Sequence, residues 1–285
     1  MRKTCPLAFI GGGTMAEAIV RGIVAAGTIK IADIAVAEPR AQRRAVFESL
    51  GVQAMATSAE AIQWLREQES GTSSGAGQIL LAVKPQSLEE VAGQIGPALG
   101  PGRRVIVSIL AGTPTQTIRD RFGRNGCDIA VVRVMPNMAA QIRMGMAAIA
   151  LGAGTTPGDD ALALRIFEAV GDVIRIDEQL MDAFTAVAGS GPAYVFYLAQ
   201  AMSTAATKLG FDEAQAKQIV QRTIAGAGAL LAESPDSPEG LRAAVTSKGG
   251  TTAAATAVLD ESSVMQAMID AITAARDRGR ELSRE

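Results

Sequence analysis

A four-residue apolar run, Leu7–Ile10, ends at once in Gly11-Gly12-Gly13-Thr14-Met15-Ala16. No other feature of this chain limits its fold as tightly. An apolar run, then glycines, then a helical pattern over Met15–Ala26 spell a strand, a tight turn and a helix. The turn fits the pattern G-x-G-x-x-A. In that pattern the first glycine allows the sharp turn, the second lets the backbone approach a pyrophosphate, and the alanine keeps helix and strand close. The N–H groups that open such a helix point at phosphates, and the helix dipole favours their negative charge. Gly11, Gly12, Gly13, Thr14 and Met15 are therefore candidate contacts of a dinucleotide. The plainer alternative is an ordinary glycine-rich strand-to-helix turn.

The alternation continues. Ile34–Ala37 reads as the next strand and Pro39–Leu50 as the next helix, with Pro39 suited to a first helical position. Val52–Met55 reads as a third strand, followed by a helix capped by Ser58 with Glu60 behind it. Ile79–Val83, Val105–Ile109 and Ile129–Val134 are continuous apolar runs, as expected of strands covered on both faces. Met146–Leu151 and Val173–Ile176 extend the same sheet. The expectation is an α/β Rossmann-type domain, a mostly parallel doubly wound sheet over residues 1–177. Ser70–Gly77, rich in Gly and Ser, reads as a flexible surface loop.

From about Glu178 the pattern becomes helix after helix. Ala216, Val220, Ile224, Ala227 and Leu231 recur at spacings of three and four. A last helix is marked by Met265, Met268, Ile269 and Ile272, with Arg276, Arg278 and Arg280 near its C-terminal end. Residues 178–285 are expected to form an all-α C-terminal domain. Ala183–Thr207 carries no charge and is long enough to span a bilayer, but small and polar residues interrupt it. A helix buried on most sides within the protein is the favoured reading over a membrane span, and such a helix often marks a subunit interface. The N-terminus does not read as a signal peptide, and the expected compartment is the cytoplasm.

Composition removes several chemistries. There is no histidine, which excludes Ser-His-Asp triads and dehydrogenases that rely on a catalytic imidazole. Two cysteines, Cys5 and Cys127, leave no disulfide framework and no paired-cysteine metal site, so no metal is expected. A formal net charge of −2 without a basic patch argues against a nucleic-acid partner.

Further candidates lie at the carboxyl ends of the expected parallel strands, where ligands of open α/β sheets bind. The second strand ends at Glu38, an acid placed to bond a ribose 2′-hydroxyl and favour NADH. Arg40, Arg43 and Arg44 follow, and a guanidinium there could clasp the 2′-phosphate of NADPH. The choice of cofactor stays open, with a lean to NADPH. Ala82-Val83-Lys84-Pro85, Ser108-Ile109-Leu110-Ala111-Gly112 and Met135-Pro136-Asn137 end later strands. Lys84 is either a cofactor contact or a surface lysine. Asn137 could order the nicotinamide amide or a nearby loop. In the helical half, Gly189-Ser190-Gly191-Pro192-Ala193-Tyr194 allows close approach of another backbone or a cofactor ring. Ser247-Lys248-Gly249-Gly250-Thr251-Thr252 leads into an Ala-rich helical stretch. Free N–H groups and two threonine hydroxyls make a good seat for a carboxylate there, unless the threonines merely cap the helix.

Taken together, the motifs resemble the pyrroline-5-carboxylate reductase family. They are FIGGGTMAEAI at 9–19, AVKP at 82–85, VSILAG at 107–112, VMPN at 134–137, MDAFTAVAGSGPAYVF at 181–196 and SKGGTT at 247–252. They run in the family's order across nearly the whole chain, and the last two are the specific ones. The resemblance implies reduction of the C=N bond of 1-pyrroline-5-carboxylate to L-proline with NADPH or NADH, the last step of proline biosynthesis. It implies a homodimer, or a higher assembly of dimers, with interleaved C-terminal helices. Carried over, Ser247, Gly250, Thr251 and Thr252 hold the substrate carboxylate, and the Thr252 hydroxyl faces the ring nitrogen as the catalytic group. In such enzymes the active site lies between the cofactor of one subunit and the helical domain. Two departures stand out: Lys248 replaces the family's usual Pro, and Glu67–Gln78 is longer than the usual connection.

Three other readings compete. A β-hydroxyacid dehydrogenase shares the two-domain plan but uses a lysine on the long inter-domain helix, and here none occurs before Lys208. An imine reductase for another ring would differ only in pocket shape. A non-catalytic NADP(H)-sensing protein would have no need of the carboxylate seat.

Overall fold

The structure, a computed structural model, describes residues 5–70, 77–123 and 126–283. Most of the Gly/Ser-rich segment expected as a surface loop, residues 71–76, lies outside them. Two compact units result: residues 1–189 together with 276–285, and residues 190–275. The sequence pattern put the change of character about twelve residues earlier than the first of these limits.

The first unit holds one eight-stranded sheet. In chain order the strands are Leu7–Ile10 (β1), Ile34–Ala37 (β2), Gln53–Met55 (β3), Gln78–Leu81 (β4), Arg103–Ser108 (β5), Asp128–Pro136 (β6), Gly145–Leu151 (β7) and Gly171–Arg175 (β8). Their spatial order is β3-β2-β1-β4-β5-β6-β7-β8. The first six follow the doubly wound dinucleotide-fold order. Every neighbouring pair is parallel except β6 and β7. Helices alternate with the strands: Thr14–Ala26 (α1), Ala41–Ser49 (α2), Ser58–Ser70 (α3), Leu88–Ile95 (α4), Thr115–Phe122 (α5) and Ala161–Glu168 (α6).

Strand residues alternate between two cores because successive side chains leave opposite faces of a pleated strand. Leu7, Phe9, Val36, Leu80, Val107 and Val132 meet Ile19 and Ile23 of α1, Phe47 of α2 and Ile166 of α6. Ala8, Ile10, Ala35, Ile79, Ile106 and Val131 meet Ile62 of α3, Ile95 of α4 and Ile118 of α5. With both faces covered, no polar position is needed, which is why these strands read as unbroken apolar runs. Each large side chain fully buried in this way contributes about 1.5–3 kcal/mol.

Helix limits differ from the sequence reading in two places. Pro39 lies outside α2, whose N-cap is Arg40. The backbone N–H of Arg40 donates to the Glu38 carboxylate, and this local turn delays the helix. Thr57, not Ser58, caps α3: the Glu60 N–H donates to Thr57 Oγ1, and the Glu60 carboxylate accepts from the Ala56 and Thr57 N–H groups.

Beyond the sheet, Met181–Phe184 (α7) runs into a π-helical segment, Thr185–Gly189. The helices that follow are Gly191–Lys208 (α8), Glu213–Glu233 (α9), Pro238–Ala244 (α10), Thr251–Glu261 (α11) and Val264–Leu282 (α12). α9 opens with a reciprocal capping box between Asp212 and Gln215. The uncharged stretch 183–207 is therefore two elements with a π-helical end, not one buried rod. Nor is α8 buried within the chain: Phe196 is 58% exposed and Tyr197 76%. Among the described residues, no helix is long and apolar enough to cross a membrane.

The last turns of α12 belong to the first unit. A side chain at Gly112 would come within 3.2 Å of Leu282, and one at Gly279 within 3.4 Å of Asp182. The Gly112 site is too closely packed to admit a larger residue without adjustment, whereas Gly279 is in ordinary contact.

Candidate active site

The turn between β1 and α1 has the shape its sequence implies. Gly11 adopts φ +104°, and a Cβ there would lie 2.6 Å from the Ala82 carbonyl oxygen. Only glycine fits such a conformation at that distance. At Gly12 a side chain would strike Glu38 and Phe47. Around Gly13, in contrast, no atom lies within 4 Å of where a Cβ would stand. Nothing in the chain itself requires glycine there, so the open space is room for something outside it. Gly13 is also the N-cap of α1 and no side chain caps that helix. The first N–H groups of α1 therefore lack a side-chain acceptor, and the dipole end faces open space. Uncapped donors beside a vacant backbone surface fit a pyrophosphate.

Behind this turn Glu38 is 4% exposed at its side chain, whereas Arg40 is 67% exposed. The Glu38 carboxylate accepts from the Gly12 N–H at 3.1 Å, the Arg40 N–H at 3.0 Å, and Arg40 Nε at 2.8 Å. Burial alone would raise its pKa, but the Arg40 guanidinium and the two N–H donors outweigh this and hold it below the usual carboxylate range. Glu38 is thus occupied by the protein, while Arg40, though it gives Nε and one terminal nitrogen to Glu38, keeps the rest of its guanidinium exposed. The other two arginines are committed elsewhere. Arg43 donates from Nε and from its terminal nitrogen to the Gly12 carbonyl, at 3.1 and 3.0 Å. Arg44 donates to the carbonyls of Glu38 and Pro39.

Adjacent strand ends bring the remaining first-unit candidates into one row. Ala82 continues the β1–β4 pairing by donating its N–H to the Ile10 carbonyl, so Ala82 and Val83 flank the glycine turn. Lys84 is exposed at the next position. Ala111 is exposed beyond β5, next to Gly112 at φ +66°. Asn137, after β6, is built into the frame: its Nδ2 donates to the Ala188 carbonyl and its Oδ1 accepts from the Met146 N–H. It fastens the π-helical segment and the β6–β7 connection, the second of the two roles foreseen for it. π-helical turns recur at functional sites.

Residues 247–252 belong to the second unit. Gly250 is the N-cap of α11, and no side chain caps that helix. The Gly250 N–H donates to the Ser247 carbonyl at 3.0 Å, closing a turn in which Gly249 takes φ +71°. A side chain at Gly250 would lie 2.4 Å from Ser247 Oγ. Capping by the threonines is therefore not what this sequence is for. The first N–H groups of α11 remain available, with Thr251 exposed and Thr252 half-buried beside them. Lys248 is exposed.

Sequence reasoning passed over Glu17. Its carboxylate pairs with Arg43 at 2.9 Å and with Arg21 at 2.9 Å. The four-residue spacing of Glu17 and Arg21 signals an ordinary helix pair, but the reach across to Arg43 is visible only in three dimensions.

A doubly wound sheet with this glycine turn defines a dinucleotide-binding protein. Comparison with known proteins specifies which. The family profile described as NADP oxidoreductase, coenzyme F420-dependent, matches residues 6–112, and that described as pyrroline-5-carboxylate reductase dimerisation matches residues 178–282. A pyrroline-5-carboxylate reductase from Synechocystis is 38% identical over 279 residues, 98% of each chain. The solved structure of one from Coxiella burnetii is 32% identical, covers 98% of this chain and 99% of its own, and has a TM-score of 0.85. That of Plasmodium falciparum pyrroline carboxylate reductase, solved with NADP bound, shares the fold at TM-score 0.81 and 24% identity, covering 99% of both chains. The chain belongs to the pyrroline-5-carboxylate reductase family.

Proposed function

We propose that the protein reduces 1-pyrroline-5-carboxylate to L-proline through the following residues. The open, uncapped α1 mouth carries this reading: Gly11, Gly12, Gly13, Thr14 and Met15 hold the pyrophosphate of the dinucleotide. Ala82, Val83, Lys84, Ala111 and Asn137 line the rest of its path along the strand ends. Arg40 faces the 2′-phosphate and Glu38 positions Arg40, which favours NADPH over NADH. When bound, the reduced nicotinamide supplies the hydride.

The substrate's carboxylate is held at the α11 mouth by Ser247, Gly250, Thr251 and Thr252, where N–H donors and the dipole favour an anion. The Thr252 hydroxyl hydrogen-bonds the ring nitrogen as its charge changes. No histidine is needed, because a cyclic imine is more basic than a ketone and can arrive already protonated. The remaining task is orientation of the imine against the hydride donor. The functional division is residues 1–177 for the dinucleotide and 178–285 for dimerisation and substrate. Homodimers, or assemblies of them, working in the cytoplasm without nucleic acid complete the reading.

The test is direct. Purified protein is mixed with pyrroline-5-carboxylate and NADPH or NADH, and proline is measured. Proline should form with both, at higher kcat/KM with NADPH. Tight NADPH binding with no proline formed would favour a sensing role.

A further inference from the structure

We propose that Arg43 is a positioning residue for the dinucleotide, acting through the Gly12 peptide rather than by touching the ligand. The inference rests on the dinucleotide reading of the α1 mouth. Gly12 is buried, and the two peptide groups on either side of its Cα are each held by a charged side chain, one by Glu38 of the β2–α2 connection and the other by Arg43 of α2. Its N–H donates to Glu38 Oε2 at 3.1 Å. Its carbonyl accepts two hydrogen bonds from the Arg43 guanidinium, at 3.1 and 3.0 Å. A third arm of Arg43 pairs with Glu17 Oε2 at 2.9 Å in the first turn of α1. One guanidinium thus spans α2, the glycine turn and α1. Two parallel donors on one carbonyl fix the plane of that peptide, as a single flexible ammonium could not.

The consequence lies one residue on. Gly13 and the N–H groups after it take their direction from the Gly12 peptide plane. No side chain caps α1, so the Arg43 guanidinium is the side chain that holds the peptide leading into it. An arginine in this part of the chain is easily read as a phosphate clasp. Here Arg40, paired with Glu38 along one edge, exposes most of its guanidinium and suits that role, whereas Arg43 is half-buried and its donors are taken by Gly12 and Glu17.

Arg43→Gln separates the possibilities by binding alone. The dissociation constants of NADPH and NADH are measured by nicotinamide fluorescence, with the melting temperature taken alongside. Positioning of the shared pyrophosphate predicts that both constants rise by the same factor, roughly five- to thirtyfold, for loss of one or two hydrogen bonds. Arg43→Lys, which retains one donor, should give a smaller rise, again equal for both, and serves if the glutamine variant does not fold. A rise confined to NADPH would mean that Arg43 touches the 2′-phosphate, and would overturn the proposal. Unchanged constants with a lowered melting temperature would also overturn it, since a purely structural arginine behaves so. Arg40→Ser in the same assay should weaken NADPH alone. If wild type binds neither nucleotide, the underlying dinucleotide reading fails, and that result is distinct from an unequal response at Arg43.

Discussion

Glu38 accepts hydrogen bonds from Gly12 and Arg40 that leave its carboxylate no spare lone pairs for a ribose. An acid at the end of the second strand is therefore a weaker guide to NADH here than its position suggests. Its charge also stabilises the fold in a pH-dependent way. The folded-state pKa is held below the ordinary carboxylate range, so the unfolded chain binds the proton more readily. The stabilisation is complete above that ordinary range and is lost as pH falls through the depressed value. Thermal melts of wild type and Glu38→Gln should differ at neutral pH and converge in acid. Equal melting temperatures at neutral pH would show that the ion pair contributes nothing. Thr252 is a different kind of residue, half-buried and engaged by no cap. Thr252→Ala should lower kcat by roughly 10²- to 10⁴-fold, the range of general acid catalysis, with the melting temperature kept. Wild-type turnover in that variant would remove Thr252 from the mechanism.

At the scale of elements, the three glycines of the β1–α1 turn should respond differently to a methyl group. Gly11→Ala meets the Ala82 carbonyl and a positive φ, and should cost about 1–3 kcal/mol of stability measured by denaturant unfolding. Gly13→Ala meets no protein atom, so it should leave stability nearly unchanged and weaken dinucleotide binding. Loss of stability without loss of binding at Gly13 would contradict the site. The strands and the turn were legible in the sequence because apolar runs ending in glycine have few physical meanings. Local competition was harder to see. Pro39 was expected inside a helix that Glu38 delays, and Ser58 was expected where Thr57 caps. Both outcomes depend on which side chain takes an N–H at the start of the helix. The roles of Arg43 and Asn137 were hidden for another reason: their partners, Gly12 and Ala188, are 31 and 51 residues away.

For the whole molecule, the second unit carries its apolar residues outward. Val195, Phe196 and Leu198 of α8, Leu230 and Leu231 of α9, and Met265 and Ile269 of α12 are all more than a third exposed. So many exposed large apolar side chains fit the dimerisation profile matched by residues 178–282. An uncharged helix that reads as buried from its sequence is thus open in the single chain, within the region matched by the dimerisation profile. Phe196→Glu should dissociate the dimer, seen as a halved mass in light scattering, with the sheet's circular dichroism preserved. An unchanged mass would place the interface elsewhere.

The sheet-containing unit includes both the first strand of the chain and the final turns of its last helix, where Leu282 lies against Gly112 and Gly279 against Asp182. Removing the turns after Ala275 would therefore take packing away from the sheet-containing unit, beside Gly112, and leave residues 190–275 untouched.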